Sequence, residues 1–365
     1  MWRCVVACCV VAACADVPTP LTYSGPQLSV TTDSAGTHVI SDGVFELDFS
    51  PTGAMLPNHM LDAQGTELLG TSTVCGEESG IGVSAKPGVV VAGGNSVTAS
   101  NLEIQAGGPS AALIHITYST SYTCPATIQF TGSTDLMITP SGRIVRYDDI
   151  KGADQTVSTT SGKCGCASSA SEFSLSTFYT FAPGGTQVEP NGTTPAAAGD
   201  MATCSMYPNR GVAVSFGSGS TRYANGAHVF DWIQNQASLD DGEYKITDAM
   251  QIGAAGQSCQ QLVDLLQDPH ALIDGTDTVT DNVGVFTDSR KHTKAFTVTP
   301  VAGGKLVPGW VLSVDLGGAD HATITRDPDM PGHTIGVPQR LDGDRYLIFF
   351  PDGLDSGETI TITPQ

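Results

Sequence analysis

Positive charge is scarce in this 365-residue chain: 16 Lys and Arg stand against 37 Asp and Glu, a formal net charge of −21. Nucleic-acid binding rests on Lys and Arg neutralising phosphates, so the balance excludes that class of partner. It also disfavours capture of polyanions such as polyuronates, although a local basic groove overrides a net charge. Solubility alone accounts for the remainder of the imbalance. Tryptophan is nearly absent, with 3 in all. Only Trp232 and Trp310 fall outside the N-terminal segment, so a sugar-stacking platform is thinly supplied. The apolar run Cys4–Ala13 is far short of the ~20 residues that span a bilayer. No G-x-S-x-G, H-E-x-x-H or Walker loop occurs, so no motif fixes a reaction.

What is abundant points to β structure. There are 42 Gly and 21 Pro, with many Thr, Ser and Val, which favours short strands joined by turns. Phe45, Leu47 and Phe49 alternate with Glu46 and Asp48, the period of a half-buried strand. Leu113–Tyr118, Ile144–Tyr147 and Phe173–Phe181 read as further strands. Thr127–Phe130 and Asp135–Ile138 read as a hairpin turning at Gly132-Ser133. One helix is predicted: Ser258 and Gln261 form a capping box, Leu262, Val263, Leu265 and Leu266 an apolar stripe, and Pro269 a stop, over roughly three turns. Asp274-Gly275-Thr276-Asp277 is the expected boundary, followed by about six strands. The expected architecture is all-β: a large β-sandwich over residues 28–273, then a smaller C-terminal β-sandwich over 278–365, with one short helix between them.

The first residues carry a different message. Met1-Trp2-Arg3 supplies one positive charge, an apolar run follows, and small residues close it, the layout of a secretory signal. Val11-Ala12-Ala13-Cys14 resembles the lipobox of bacterial lipoproteins. That resemblance implies diacylglyceryl on Cys14 and attachment to a membrane face, with Ala15 leaning towards the outer membrane. The alternative reads Ala13-Cys14-Ala15 as a plain cleavage site that releases a soluble secreted protein. Residues 15–27, rich in Pro, suit a flexible tether in either case. An oxidising compartment then makes Cys75, Cys124, Cys164, Cys166, Cys204 and Cys259 candidates for up to three disulfides, with the pairing open.

Candidate functional residues are of low specificity. Arg143-Ile144-Val145-Arg146-Tyr147-Asp148-Asp149 puts Arg146 and Asp148 on one face of a strand and Tyr147 and Asp149 on the other. Tyr147 and Arg146, with His59 in an expected loop, are the candidate catalytic set for proton transfer beside a sugar, provided they share one cleft. The plainer reading of the same residues is a salt-bridged strand and a surface histidine. His115 sits in an apolar strand and reads as a hydrogen-bonded core residue. His228 and Trp232 are the candidate carbohydrate contacts. No metal ligand set is expected, although the acidic loops at Asp327–Gly332, Asp342–Asp344 and Asp352–Asp355 leave room for a structural calcium. Asp327–Gly332 fails as an EF-hand because Pro331 takes a ligand position.

The order Ile40-Ser41-Asp42-Gly43-Val44-Phe45-Glu46-Leu47-Asp48-Phe49, Pro51-Thr52-Gly53 and Gly65-Thr66-Glu67-Leu68-Leu69 resembles the opening of galactose-mutarotase-like supersandwich domains of polysaccharide lyases. The resemblance implies a concave carbohydrate-binding sheet worked by His, Tyr and Arg. No catalytic motif of that family aligns, so no residue role is carried over. The leading expectation is an exported, lipid-anchored protein that binds or processes carbohydrate at the cell envelope, a polysaccharide lyase or glycoside hydrolase if an enzyme. The alternative is a non-catalytic structural or adhesion protein of the cell surface.

Overall fold

The computed structural model describes residues 27–34, 38–41, 43–49, 57–72, 78–79, 81–86, 89–92, 97–123, 127–152, 155–156, 173–188, 202–216, 221–225, 228–236, 238–239, 243–266, 271–280, 285–327 and 338–365. The fold is all-β, with one short helix among the described residues. A large antiparallel sheet of eight strands runs Thr186–Val188, Ala202–Met206, Gly211–Phe216, Glu243–Gly253, Arg143–Gly152, Thr127–Ile138, Ala112–Thr123, Val97–Gly107 from edge to edge. Its inner face presents Ile114, Ile116, Leu136, Ile138, Ile144, Val214 and Met250. Against them pack Ile40, Phe45, Leu47, Phe49 and Met60 of a four-stranded meander, and Tyr179 of a five-stranded sheet. The Phe45–Phe49 strand shows the alternation expected from its sequence: three apolar residues are buried and the two acids between them are not.

The second sandwich stacks two five-stranded sheets. Its core holds Phe286, Leu312, Ile348 and Phe350 around Trp310, whose indole stacks on Phe350 at 3.8 Å between ring centres. Phe286–Lys291 and Trp310–Asp315 pair in parallel, while the rest of that sheet is antiparallel. The first strand of this sandwich is Ala271–Ile273, which pairs with Phe296–Pro300. Asp274-Gly275 is therefore the hairpin turn leading to Thr276–Asp277, with Asp274 at φ 49° and Gly275 at φ 74°.

Three expectations change. Thr127–Ile138 is one unbroken strand of 12 residues, not a hairpin. Gly132 lies opposite Tyr118, and a Cβ there would stand 2.6 Å from the Tyr118 ring, so the glycine makes room for an aromatic rather than a turn. The helix covers only Cys259–Asp264. Its capping box is as expected, but Leu265 N–H donates to Leu262 O and Leu266 N–H to Val263 O, and this tightening ends it early. His59 lies on the Pro57–Asp62 strand instead of a loop.

Cys204 and Cys259 form a disulfide that ties the helix to the large sheet. Leu262 completes the anchor against Gly211 and Gly253, whose Cβ positions would lie 2.7 and 2.1 Å from its methyls. Cys75, Cys124, Cys164 and Cys166, like Cys14 and the Asp327–Gly332 loop beyond Asp327, lie outside the described residues.

Candidate functional site

The outer face of the large sheet is divided. The register sets out its rows across strands. Nearest the second sandwich stand Leu113, Met137, Val145 and Ala249; then Glu103, His115, Asp135, Tyr147 and Thr247; then Asn101, Thr117, Ser133, Asp149 and Lys245; then Ser119, Thr131 and Lys151. Met137 and Val145 of the apolar row are buried, and Leu113 and Ala249 partly so, in one cluster with Val285, Val311, Leu347 and Phe349 of the second sandwich. Gln339 fixes this contact, its Oε1 accepting from Ser110 N–H and Ala111 N–H at 3.1 Å each.

Beyond the contact the same strands turn polar. Asn101, Thr117, Ser119, Thr131, Ser133, Asp149 and Lys151 line an open groove of about 500 Å³. Its side chains are short hydroxyls and amides, with charge confined to one end, where Lys245 Nζ stands 4.0 Å from Asp149 Oδ2. One row away His115 Nδ1 meets Asp135 Oδ1 at 2.5 Å, with 28% of the His115 side chain exposed. His115 is hydrogen-bonded as expected, but it is half-buried on the outer face and not in the core. Its strand alternates Ile114, Ile116 and Tyr118 inward with Leu113, His115 and Thr117 outward. Reading its i±2 neighbours would have placed it.

The three candidate catalytic side chains do not converge. Tyr147 is on the outer face, 8% exposed, at the border of the contact with the second sandwich. Arg146 points inward and is 1% exposed. Its Nε is 2.7 Å from Asp148 Oδ2, and Thr134 Oγ1 donates to Asp148 Oδ1 at 2.5 Å. Asp248 is the register partner of Arg146, and the guanidinium stands 5.7 Å from the Tyr179 ring centre. Burial pushes Asp148 up, against the opposing pull of Arg146 and the Thr134 hydrogen bond. Burial likewise holds Tyr118 and Tyr179 well above the usual phenol range. Arg146, Asp148 and Asp248 are each no more than 1% exposed, so the cluster belongs to the core of the sheet's inner face.

His59, 57% exposed, is on the four-stranded meander, where its Nδ1 contacts Glu67 Oε2 at 2.7 Å. Glu67 Oε1 accepts from Met60 and Leu69 N–H, so His59 belongs to a turn-fixing network. His228 and Trp232 lie on the His228–Gln236 strand of the five-stranded sheet, with side chains outside the described residues. Trp310 is core. Among the described residues no three His, Cys, Asp or Glu side chains gather as a metal site. Asp344 meets Lys291 at 3.4 Å.

No protein-family model matches the chain, and no curated protein does. Solved structures similar to it include glycosidases and polysaccharide lyases. An alpha-mannosidase from Enterococcus faecalis shares 8% identity over 94% of this chain and 43% of its own, at a TM-score of 0.44. A protein in glycosyl hydrolase family 38 from the same organism shares 8% over 64% of this chain and 32% of its own, at 0.42. A heparan sulfate lyase from Pedobacter heparinus shares 10% over 76% of this chain and 40% of its own, at 0.37. The chain spans less than half the length of each, and the likeness is one of β architecture at most.

Proposed function

We propose that this chain is an exported carbohydrate-binding protein whose ligand lies on the open, polar end of the large sheet's outer face. The observation that carries the reading is the groove itself: seven short or charged polar side chains from four adjacent strands, open where the apolar row of the same face is covered. Hydroxyl and amide side chains on a rigid sheet suit a polyhydroxyl ligand, because each can donate and accept. The paucity of cationic groups favours neutral glycans over polyuronates. Export rests on the signal layout, and a lipid on Cys14 would tether the domains to the envelope through residues 15–27.

The test is a polysaccharide panel with the purified chain, following gel retardation together with new reducing ends and unsaturated-sugar absorbance. Retardation by a neutral glycan without cleavage is the expected result. No retardation by any glycan would overturn the reading in favour of a structural or adhesion role. For the anchor, a Cys14→Ser chain should move from the membrane to the soluble fraction; an unchanged distribution would refute lipidation at that residue.

A further inference from the structure

The groove has a direction as well as a composition. Asn101, Thr117, Ser133 and Asp149 are register partners on four consecutive strands, and the row continues to Lys245 on a fifth. Ser119, Thr131 and Lys151 form a second row, two residues further along each strand. Neighbouring strands are about 4.8 Å apart, and residues i and i+2 about 7 Å apart along a strand. The floor is thus two ladders of polar side chains, about 7 Å apart, one running across four strands for about 14 Å and the other across three strands for about 10 Å. At one end along the strand axis, the row containing Glu103, His115, Asp135 and Tyr147 closes on the second sandwich.

We infer that the ligand is a linear neutral glycan that crosses the strands at right angles, lying between the two ladders and engaging one polar rung per strand. This rests on the carbohydrate reading above and adds the ligand's shape, orientation and size. An across-strand chain meets equivalent donors and acceptors at a constant repeat, which suits a polymer of identical units. A ligand running along a strand would instead leave the hydroxyl rows for the ion-paired row of His115 and Asp135 and then be stopped by the second sandwich. The charged groups Asp149, Lys151 and Lys245 lie together at one end, with Lys245 Nζ 4.0 Å from Asp149, so the rest of the path is uncharged. Among the described residues the one aromatic lining the groove is Tyr118, itself buried among the inner core residues, so affinity comes from hydrogen bonds added unit by unit. Single sugars then gain too few bonds to hold.

The experiment is a titration, by calorimetry, of the full chain with oligosaccharides of one to eight units of whichever neutral polysaccharide retards it. Affinity should rise at least tenfold from two units to four and level off beyond about five, the number of rungs in the longer row. Asn101→Ala, at the neutral end, should weaken the five-unit ligand, which needs every rung, about tenfold. Binding that is already complete with one or two units overturns the across-strand path while leaving carbohydrate binding intact. So does an Asn101→Ala chain with unaltered affinity at every length. A chain that binds none of the panel removes the carbohydrate reading, and this inference with it.

Discussion

The two ends of the large sheet's outer face are built on the same strands and have opposite environments. At one end Leu113, Met137 and Val145 lie beneath Val311, Leu347 and Phe349; at the other Thr117, Ser133 and Asp149 line open space. The two lie only four positions apart on each strand, so the change is written as a switch of residue type at every second position. Burial of the apolar end stabilises the pairing of the sandwiches by roughly 25 cal/mol per Å² of apolar surface removed from water. It also makes the large sheet a rigid platform, covered on its inner face and held at one end of its outer face. A binding surface of short side chains needs such a platform, because the side chains themselves have little reach.

Breaking the covered end should give the largest effect. Phe349 is fully buried in the contact, and Phe349→Ala should cost about 3–5 kcal/mol in urea unfolding. A loss below 1 kcal/mol would mean that the contact contributes little. Gln339→Ala comes next: it strands two buried N–H groups, Ser110 and Ala111, and should cost about 2 kcal/mol without changing glycan retardation.

Acid should weaken the covering sandwich in a similar measure. Burial alone would raise Asp288, but hydrogen bonds from Arg290 and His292 outweigh it and bring the carboxyl to about 2. An unfolded aspartate titrates near 3.9. The folded value is the lower, so the stabilisation of about 2 kcal/mol is present above pH ~4 and is lost as pH falls from about 4 to 2. Unfolding of wild type and Asp288→Asn at pH 7 and pH 2.5 checks this: the difference between them should shrink to less than half at the lower pH. Asp148, beneath the large sheet, is shifted upward by burial. Its contribution therefore has the opposite sign, present at low pH and lost as pH rises through its folded value.

The smallest stability effects belong to the open end. Thr117→Ala and Asn101→Ala should each change unfolding by less than about 0.5 kcal/mol, both being exposed. A loss at either site matching that of Phe349→Ala would erase the distinction between the two ends.

Much of this division was legible in residues, and the misreadings have physical causes. Phe45, Leu47 and Phe49 gave the period of a strand with one wet face, and the burial pattern follows it. The unbroken runs Trp310–Val314 and Tyr346–Phe350 differ in kind: both faces are buried, one in the second core and the other in the contact. Such runs mark doubly covered strands, so the contact between sandwiches was visible in the pattern. Arg146 and Tyr147 were correctly assigned to opposite faces, and that assignment itself argues against a shared cleft. Gly132 misled because a glycine that accommodates a cross-strand tyrosine looks, in sequence, like one that makes a turn. The groove was illegible for a different reason. Asn101, Thr117, Ser133 and Asp149 are ordinary residues 16 positions apart, and only the pairing of four strands brings them into a row.

The most direct test of the account is hydrogen exchange of the full chain with and without the neutral glycan that retards it. Added glycan should slow exchange in segments 99–101, 117–119, 131–133 and 149–151 together, and leave the Leu347–Phe349 contact unchanged. Slowing confined to other segments, or none with any glycan of the panel, would contradict a binding surface on the open end of the sheet.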